Sequence, residues 1–307
     1  MLTSFFGKSR PLNFLLLICY ILVISGLSYL SNPDLTVSSK EIFMVSGAVG
    51  LLIFSMLFLD FIIRKNRLTR LNTYAILIFS CSAMMLWDWS NELDVVMANV
   101  FLLLSLRRIF SLRSFKNVER KILDATIWIV IASAFYFWCL LLFIPLYVGI
   151  MGIPHKSIRY YLIPLIGWAG LLLMYMTYHL LRDDPFIWFQ QWLEEGSFDY
   201  SSYASKKILI FITFISATLI WTTISYLATL SSVMKKDRTN RRLVLFVLGV
   251  SIFMAIISSE KTGGELIFIL TPTAIVISVY FEKRSEIWFR EILLWIFVLL
   301  PIVLVFL

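Results

Sequence analysis

The side chains best able to do chemistry in this sequence are carboxylates and cations in short polar stretches between long apolar runs. Asp34, beside Pro33, is the candidate catalytic residue, because a positioned carboxylate can act as a general base. The candidate substrate-binding residues are carboxylates for acceptor or metal contacts and cations for phosphate: Asp88, Glu92, Asp94, Arg182, Lys206 and Lys207. The alternative is that all are solvated loop charges and that Asp34 is a capping residue.

Other reactive groups are few. His155 and His179 are the only histidines, which excludes a His-rich iron or copper site. Cys19, Cys81 and Cys139 lie in apolar runs without metal-ligand spacing, so we predict small buried hydrophobic residues. The sequence has no P-loop, dinucleotide fingerprint, CxxC or HExxH motif. We therefore predict no metal site, and the sequence identifies no cofactor.

The composition indicates which environment must position these residues. The chain has 307 residues, of which 60% are hydrophobic and 15% charged, whereas soluble domains are about 45–50% apolar and about 25% charged. A membrane-spanning helix needs roughly 20 apolar residues, so the length allows on the order of ten spans. This composition excludes a disordered chain and a secreted disulfide scaffold.

We predict that the apolar runs are helices, because each segment in lipid must satisfy its own backbone hydrogen bonds. The runs cover residues 12–30, 42–63, 73–87, 95–106, 122–153, 161–181, 208–230, 243–258, 266–281 and 291–307. The run 122–153 is too long for one untilted crossing at about 1.5 Å per residue. It therefore crosses obliquely or turns back on itself.

Charge distribution favours a turn. If 122–153 forms two short helices turning near residues 138–142, 22 of the 27 Lys and Arg residues lie on the cytoplasmic side. The same arrangement places 12 of the 19 carboxylates outside. We therefore predict an all-α polytopic bundle of about eleven membrane segments, with residues 1–307 as one membrane domain. Its N-terminus is cytoplasmic and its C-terminus periplasmic. The net charge of +8 is then an orientation signal, and no nucleic-acid partner is predicted.

The longest outer loop, residues 183–205, has the pattern of an interfacial amphipathic helix. Asp184 precedes a proline at the first helical turn, and Gly196 is placed to end the helix. Trp188 and Trp192 share its apolar face and are expected at headgroup depth. This helix either anchors the loop or gates a lipid-facing groove.

Charges near the membrane surface have a simpler explanation than proton transfer. Asp60 precedes Arg64 by one helical turn, which predicts an i,i+4 ion pair. Asp124 follows Arg120 and Lys121 and is interpreted in the same way. No predicted span carries an ionisable residue near its centre, which argues against an ion-coupled transporter.

Three segments resemble an uncharacterised family of bacterial multi-pass inner-membrane proteins: residues 5–14 (FFGKSRPLNF), 98–108 (ANVFLLLSLRR) and 163–167 (IPLIG). This resemblance implies a bacterial inner-membrane location and no particular activity. The order of basic loops and helical segments between residues 107 and 182 is also similar to the membrane core of C-type glycosyltransferases. Those enzymes use polyprenyl-phosphate sugars and place an Asp or Glu catalyst in the first outer loop, the position of Asp34, although their paired acidic motif is missing here.

Two hypotheses follow, and the sequence leaves open whether the protein is an enzyme. The first is a glycosyltransferase-like protein that handles polyprenyl-linked sugars in envelope assembly. The second is a non-catalytic subunit of an envelope secretion, translocation or motility complex. The expected partners are membrane lipids, including a polyprenyl-phosphate lipid under the first hypothesis, or other membrane proteins under the second.

Overall fold

A computed structural model describes most of the chain. The described residues are 2–31, 39–86, 93–154, 157–182, 192–232, 234–259, 261–283 and 287–307. Within these ranges the regular structure is helical and contains no β-strand. The predicted all-α class is confirmed.

The described residues form twelve α-helices. They are α1 (Leu2–Phe6), α2 (Pro11–Ser31), α3 (Ser39–Asn66), α4 (Tyr74–Met85), α5 (Leu93–Ser111), α6 (Val118–Phe135), α7 (Phe143–Met151), α8 (Ile158–Leu180), α9 (Lys206–Leu230), α10 (Lys235–Ile257), α11 (Ile267–Phe281) and α12 (Ile287–Val305). Among them α2, α3, α5 and α8–α12 account for eight helices long and apolar enough to cross a membrane. The chain therefore has the helices of a multi-pass membrane protein.

Two shorter apolar helices accompany these eight, at Tyr74–Met85 and at Phe137–Met151. The second includes a 3₁₀ turn before α7. The eight long helices establish only that the protein has several membrane-spanning helices. The count of about eleven membrane segments and the orientation of the termini stay predictions.

The long apolar run 122–153 is broken at Tyr136, whose backbone is extended (φ −149°, ψ 105°). The last turn of α7 returns to the end of α5, since a Cβ at Gly149 would lie 3.3 Å from Leu112 and 3.5 Å from Ile109. Because α6 starts at Val118, just after the end of α5, the start of α6 and the end of α7 lie at the same end of the bundle. The helices α6 and α7 therefore run in opposite directions. The break comes before the predicted turn at residues 138–142.

The helices α4 and α11 form the centre of the bundle. Every residue of α4 is buried, and so is every residue of α11 except Ile269. The two helices pack against each other and between them contact α2, α3, α5, α9, α10 and α12. By contrast, α8 lies at the periphery against α6 and α7, and Pro164 is its one buried residue.

One end of the bundle collects basic residues. Arg113 donates a hydrogen bond to the Asn66 carbonyl at the end of α3 (3.1 Å), and Asn240 in α10 donates to the Phe110 carbonyl in α5 (3.1 Å). We call this the basic end. Its described cations include Arg64, Lys65, Arg67, Arg107, Arg108, Arg113, Lys121, Arg241, Lys283 and Arg290.

Three expectations about single residues can be compared with the structure. The ion pair between Asp60 and Arg64 is confirmed, with 2.6 Å between Oδ2 and Nε. Asp124 instead pairs with Arg108 at 2.9 Å, so its partner lies on α5 and not on its own helix. The expectation of burial is confirmed for Cys81 and Cys139 but wrong for Cys19, which is exposed on the side of α2.

Candidate functional site at the Glu265 end

The end of the bundle opposite the basic end is held together by polar contacts of the segments that follow α6, α8 and α10. Trp192 Nε1 donates to the Ser133 carbonyl near the end of α6 (2.7 Å). Tyr136, just after α6, donates its hydroxyl hydrogen to Ser258 Oγ after α10 (2.6 Å). We call this the Glu265 end, after the buried carboxylate that precedes α11.

Three of the predicted site residues, Asp34, Asp88 and Glu92, lie outside the described residues, and so does most of the predicted interfacial helix at 183–191. The described part of the 183–205 loop, from residue 192 onwards, contains one 3₁₀ turn, Ser201–Ala204. Both the role of Asp34 and the amphipathic helix stay predictions.

The other predicted site residues occupy helix ends. Asp94 is exposed in the first turn of α5. Arg182 is exposed just after α8, with its guanidinium 4.7 Å from the centre of the Tyr178 ring. Lys206 is exposed and Lys207 half-buried in the first turn of α9. None of these four residues lines the cavities described below.

The structure places two other charged residues at the centre of this end. Lys261 is 4% exposed and Glu265 is 1% exposed. From the sequence, both count as solvated loop charges and neither is a site candidate. The available signal was their spacing: a lysine and a glutamate flank Gly263 and Gly264 directly before an uncharged apolar run.

Lys261 fastens the end of α10 to the loop after α8. Its ammonium donates to the carbonyls of Ile256 (2.9 Å), Ser258 (3.2 Å) and Ser197 (2.5 Å). It also lies 4.3 Å from the centre of the Tyr200 ring. An ammonium group has three donors, so these carbonyls use all of them. A cation is also favourable at a helix C-terminus. The role of Lys261 at this site is therefore structural.

Glu265 organises the turn that leads into α11. Its Oε1 accepts the hydroxyl hydrogen of Tyr203, and its Oε2 accepts the Gly263 N–H at 2.9 Å. Gly263 has φ +96°, a conformation that glycine adopts without strain. Burial and the nearby Glu265 carboxylate raise the pKa of Tyr203, so this hydroxyl remains a donor. The pair joins the loop after α8 to the start of α11.

Three further contacts close the loop onto the bundle. Ser259 Oγ donates to Glu194 Oε2 at 2.7 Å. Gly196 lies so close to α10 that a Cβ at this position would be 2.9 Å from Ile257 Cγ2. The Trp192 ring packs edge-on against Phe137 with 5.0 Å between ring centres. Residues 192–203 thus form a cover over the ends of α6 and α10, which we call the polar cover.

An apolar groove lies under the polar cover, between α9, α10 and α11. Its volume is about 340 Å³, and Tyr200 and Tyr203 of the cover lie over it. Its walls are otherwise apolar, apart from Ser216. Ile220 and Ile256 in these walls are exposed on the side of the bundle. A groove with this lining and position can receive a hydrocarbon chain from the surrounding membrane.

A second, smaller cavity of about 150 Å³ lies at the same end between α6 and α8, where it is lined by Trp168, Tyr175 and Trp192. Among the described residues, no group of three His, Cys, Asp or Glu side chains is placed to hold a metal ion. Comparisons with protein-family models, with curated proteins and with solved structures found no match for this chain.

Proposed function

We propose that this multi-pass membrane protein binds an amphiphilic lipid in the groove between α9 and α10, with the lipid headgroup beside the polar cover. The observation that carries the proposal is the groove itself, about 340 Å³ in volume, apolar and open to the side of the bundle. Water-exposed apolar clefts of this size are costly, whereas in a membrane they match a hydrocarbon chain. The polar cover would then meet the headgroup at the membrane surface.

The most specific ligand that fits this proposal is a polyprenyl-phosphate sugar, which a glycosyltransferase-like protein would use in envelope assembly. Lys206 and Lys207 begin α9, and Phe211, one turn further along, lines the groove. A phosphate at the groove entrance would therefore lie within reach of two lysines. In this hypothesis Asp34 is the base and Arg182 a further phosphate contact, as proposed from the sequence.

The proposal includes an orientation. The described cations concentrate at the basic end, and Lys and Arg are enriched on the cytoplasmic side of membrane proteins. We therefore propose that the basic end is cytoplasmic and the Glu265 end periplasmic. Counting α4, α6 and α7 with the eight long helices gives about eleven segments in a bacterial inner membrane.

The groove is tested by filling it. Ser216 lines the groove and is exposed, so Ser216→Trp should block a hydrocarbon chain without disturbing the core. Ala217→Trp is the matched control, since Ala217 is the exposed neighbour of Ser216 and lies outside the groove lining. The measurement is crosslinking to a photoreactive polyprenyl phosphate in nanodiscs. We expect wild type and A217W to be labelled and S216W to lose at least about 80% of the signal, the effect of a loss in affinity of about 1 kcal/mol. Equal labelling of the two variants would refute the proposal.

The second candidate is a non-catalytic subunit of an envelope complex, which α8 favours. Its outward surface is apolar over most of its length, including Ile166, Leu173 and Met174. Gly170 lies there with no atom within 4 Å of a Cβ at its position, so a partner helix could approach closely. A stoichiometric protein partner retained in mild detergent, without bound polyprenyl lipid, would favour this candidate over the first.

A further inference from the structure

A separate pocket lies at the basic end, far from the polar cover. It has a volume of about 260 Å³ and is enclosed by the end of α3, the end of α5 and the start of α6. Besides Asn66, Phe110, Ser111 and Ser114, its lining consists of cations: Lys65, Arg67, Arg107, Arg108, Arg113 and Lys121. We call it the basic pocket.

The carboxylates of the described part of the chain do not balance these cations. Arg108 pairs with Asp124 at 2.9 Å, and Arg113 pairs with Asp237. The remaining ion pair in that part lies outside the pocket lining. Consequently four cations of the pocket have no described carboxylate within 4.0 Å: Lys65, Arg67, Arg107 and Lys121.

Aromatic rings and carbonyls hold these cations without neutralising them. The Arg107 guanidinium lies 5.0 Å from the centre of the Phe61 ring, and the Lys65 ammonium lies 5.2 Å from the same ring. Lys121 Nζ donates to the Ser111 carbonyl at 2.7 Å. The positive charges therefore converge under mutual repulsion, which an anion would relieve.

Arg67 adds an independent observation. Leu68 N–H bonds to the Ile63 carbonyl (3.1 Å) and Arg67 N–H to the Arg64 carbonyl (3.3 Å), which together close α3 in a Schellman motif. Arg67 occupies the left-handed position of this motif, with φ 52°. Glycine is the usual residue there, since a side chain adds strain. This chain thus has a cation at the pocket rim where glycine would suit the backbone better.

We propose that the basic pocket binds the phosphate group of an anionic ligand, either an anionic phospholipid headgroup or a soluble phosphate. Arginine forks and ammonium groups match phosphate oxygens in charge and geometry, and basic pockets between membrane helices on the cytoplasmic side bind lipid phosphates. The orientation of the protein in the membrane does not require these cations to converge on one pocket, since a Lys or Arg anywhere in a cytoplasmic loop gives the same orientation signal. Lys116 and Arg120 belong to the same loop region and do not line the pocket.

The test compares two pairs of substitutions with equal charge. The pocket variant is Lys65→Gln with Arg67→Gly, in which the glycine also suits the left-handed backbone. The control is Lys116→Gln with Arg120→Gln, which removes two exposed cations at the same end that lie outside the pocket lining. The probe is cardiolipin titrated into nanodiscs of phosphatidylcholine, with bound lipid quantified by native mass spectrometry and inorganic pyrophosphate added as a competitor. Thermal unfolding of both variants checks that they fold.

We expect cardiolipin affinity to fall roughly fivefold for each pocket cation removed, and therefore about 25-fold for the pocket variant, with less than a twofold change for the control. Displacement of cardiolipin by pyrophosphate would show that the phosphate group itself is recognised. Retention despite pyrophosphate, with the same difference between variants, would assign the pocket to a lipid headgroup. Equal affinities of the pocket variant and the control, or no binding above phosphatidylcholine, would overturn the proposal.

Discussion

Tyr203 and Glu265 show at the residue scale how a loop can be fixed at the surface of a membrane bundle. The carboxylate is 1% exposed and takes hydrogen bonds from the Tyr203 hydroxyl and from the Gly263 backbone. A buried carboxylate that loses a donor bears the cost of desolvation without compensation. The Tyr203 hydroxyl is therefore one of the contacts that stabilise the polar cover, beside those of Trp192 and Lys261.

Tyr203→Phe should lower the free energy of unfolding by about 1.5–3 kcal/mol, the range for hydrogen bonds to charged groups. Tyr200→Phe is the control, because the Tyr200 hydroxyl bonds to the Ile256 carbonyl at 3.2 Å from an exposed ring. We expect about 0.5 kcal/mol or less for this control, since water can replace the tyrosine hydroxyl. Denaturant unfolding in detergent micelles measures both values. Equal losses in the two variants would contradict a special role for the buried bond.

Ion pairs could be predicted from the sequence where both partners lie on one helix, but not where the partners lie on different helices. The Asp60–Arg64 pair follows from i,i+4 spacing and is confirmed at 2.6 Å. Asp124 pairs across helices with Arg108, which spacing along a single helix does not reveal. Lys261 and Glu265 were missed because a sequence shows that a charge lies in a loop but not that the loop folds inward.

Among the elements, the α6–α7 hairpin depends on a close approach to α5. A Cβ on Gly149 would lie 3.3 Å from Leu112 Cδ1 and 3.5 Å from Ile109 Cγ2. The sequence predicted a reversal because the charges of later loops require one. At the break itself, Tyr136 donates a hydrogen bond to Ser258, a contact across 122 residues that local sequence does not encode.

Gly149→Val should separate the end of α7 from α5 and lower the free energy of unfolding by about 1–3 kcal/mol through overpacking. Gly249→Val is the matched control, since Gly249 lies in α10 with nothing within 4 Å of a Cβ. Valine is slightly better than glycine in a helix, so this control should not destabilise. Thermal unfolding in micelles provides the comparison. An unchanged midpoint for G149V would mean that the approach is looser than described.

Which helices lie in the centre could not be predicted from the sequence. A span buried by other helices and a span surrounded by lipid are both apolar on every side. Apolar character by itself therefore does not separate α4 and α11 from the peripheral helix α8. The groove could not be predicted from the sequence either, because it results from how α9, α10 and α11 pack and not from a motif in any of them.

For the whole molecule, the testable property is orientation. Cysteines introduced at Lys116 of the basic end and at Lys206 of the Glu265 end report the two sides, with Cys19→Ala in both variants because Cys19 is exposed. If the basic end is cytoplasmic, a membrane-impermeant thiol reagent should label K206C in intact cells. It should reach K116C only after permeabilisation. The reverse pattern would invert the proposed topology and place the groove entrance in the cytoplasm.

The central position of α4 has a consequence for biogenesis. This helix has 12 residues, about 18 Å in length, and falls short of the roughly 30 Å hydrocarbon core. Its companion α11 begins only at Ile267, so the ribosome must add the intervening residues before α4 can acquire its final neighbours. During that interval α4 can pack against α2 and α3, which precede it, while the surface that α11 will cover has no partner from α11. Assembly of the membrane domain is therefore completed late in translation, when α11 enters beside a helix made long before it.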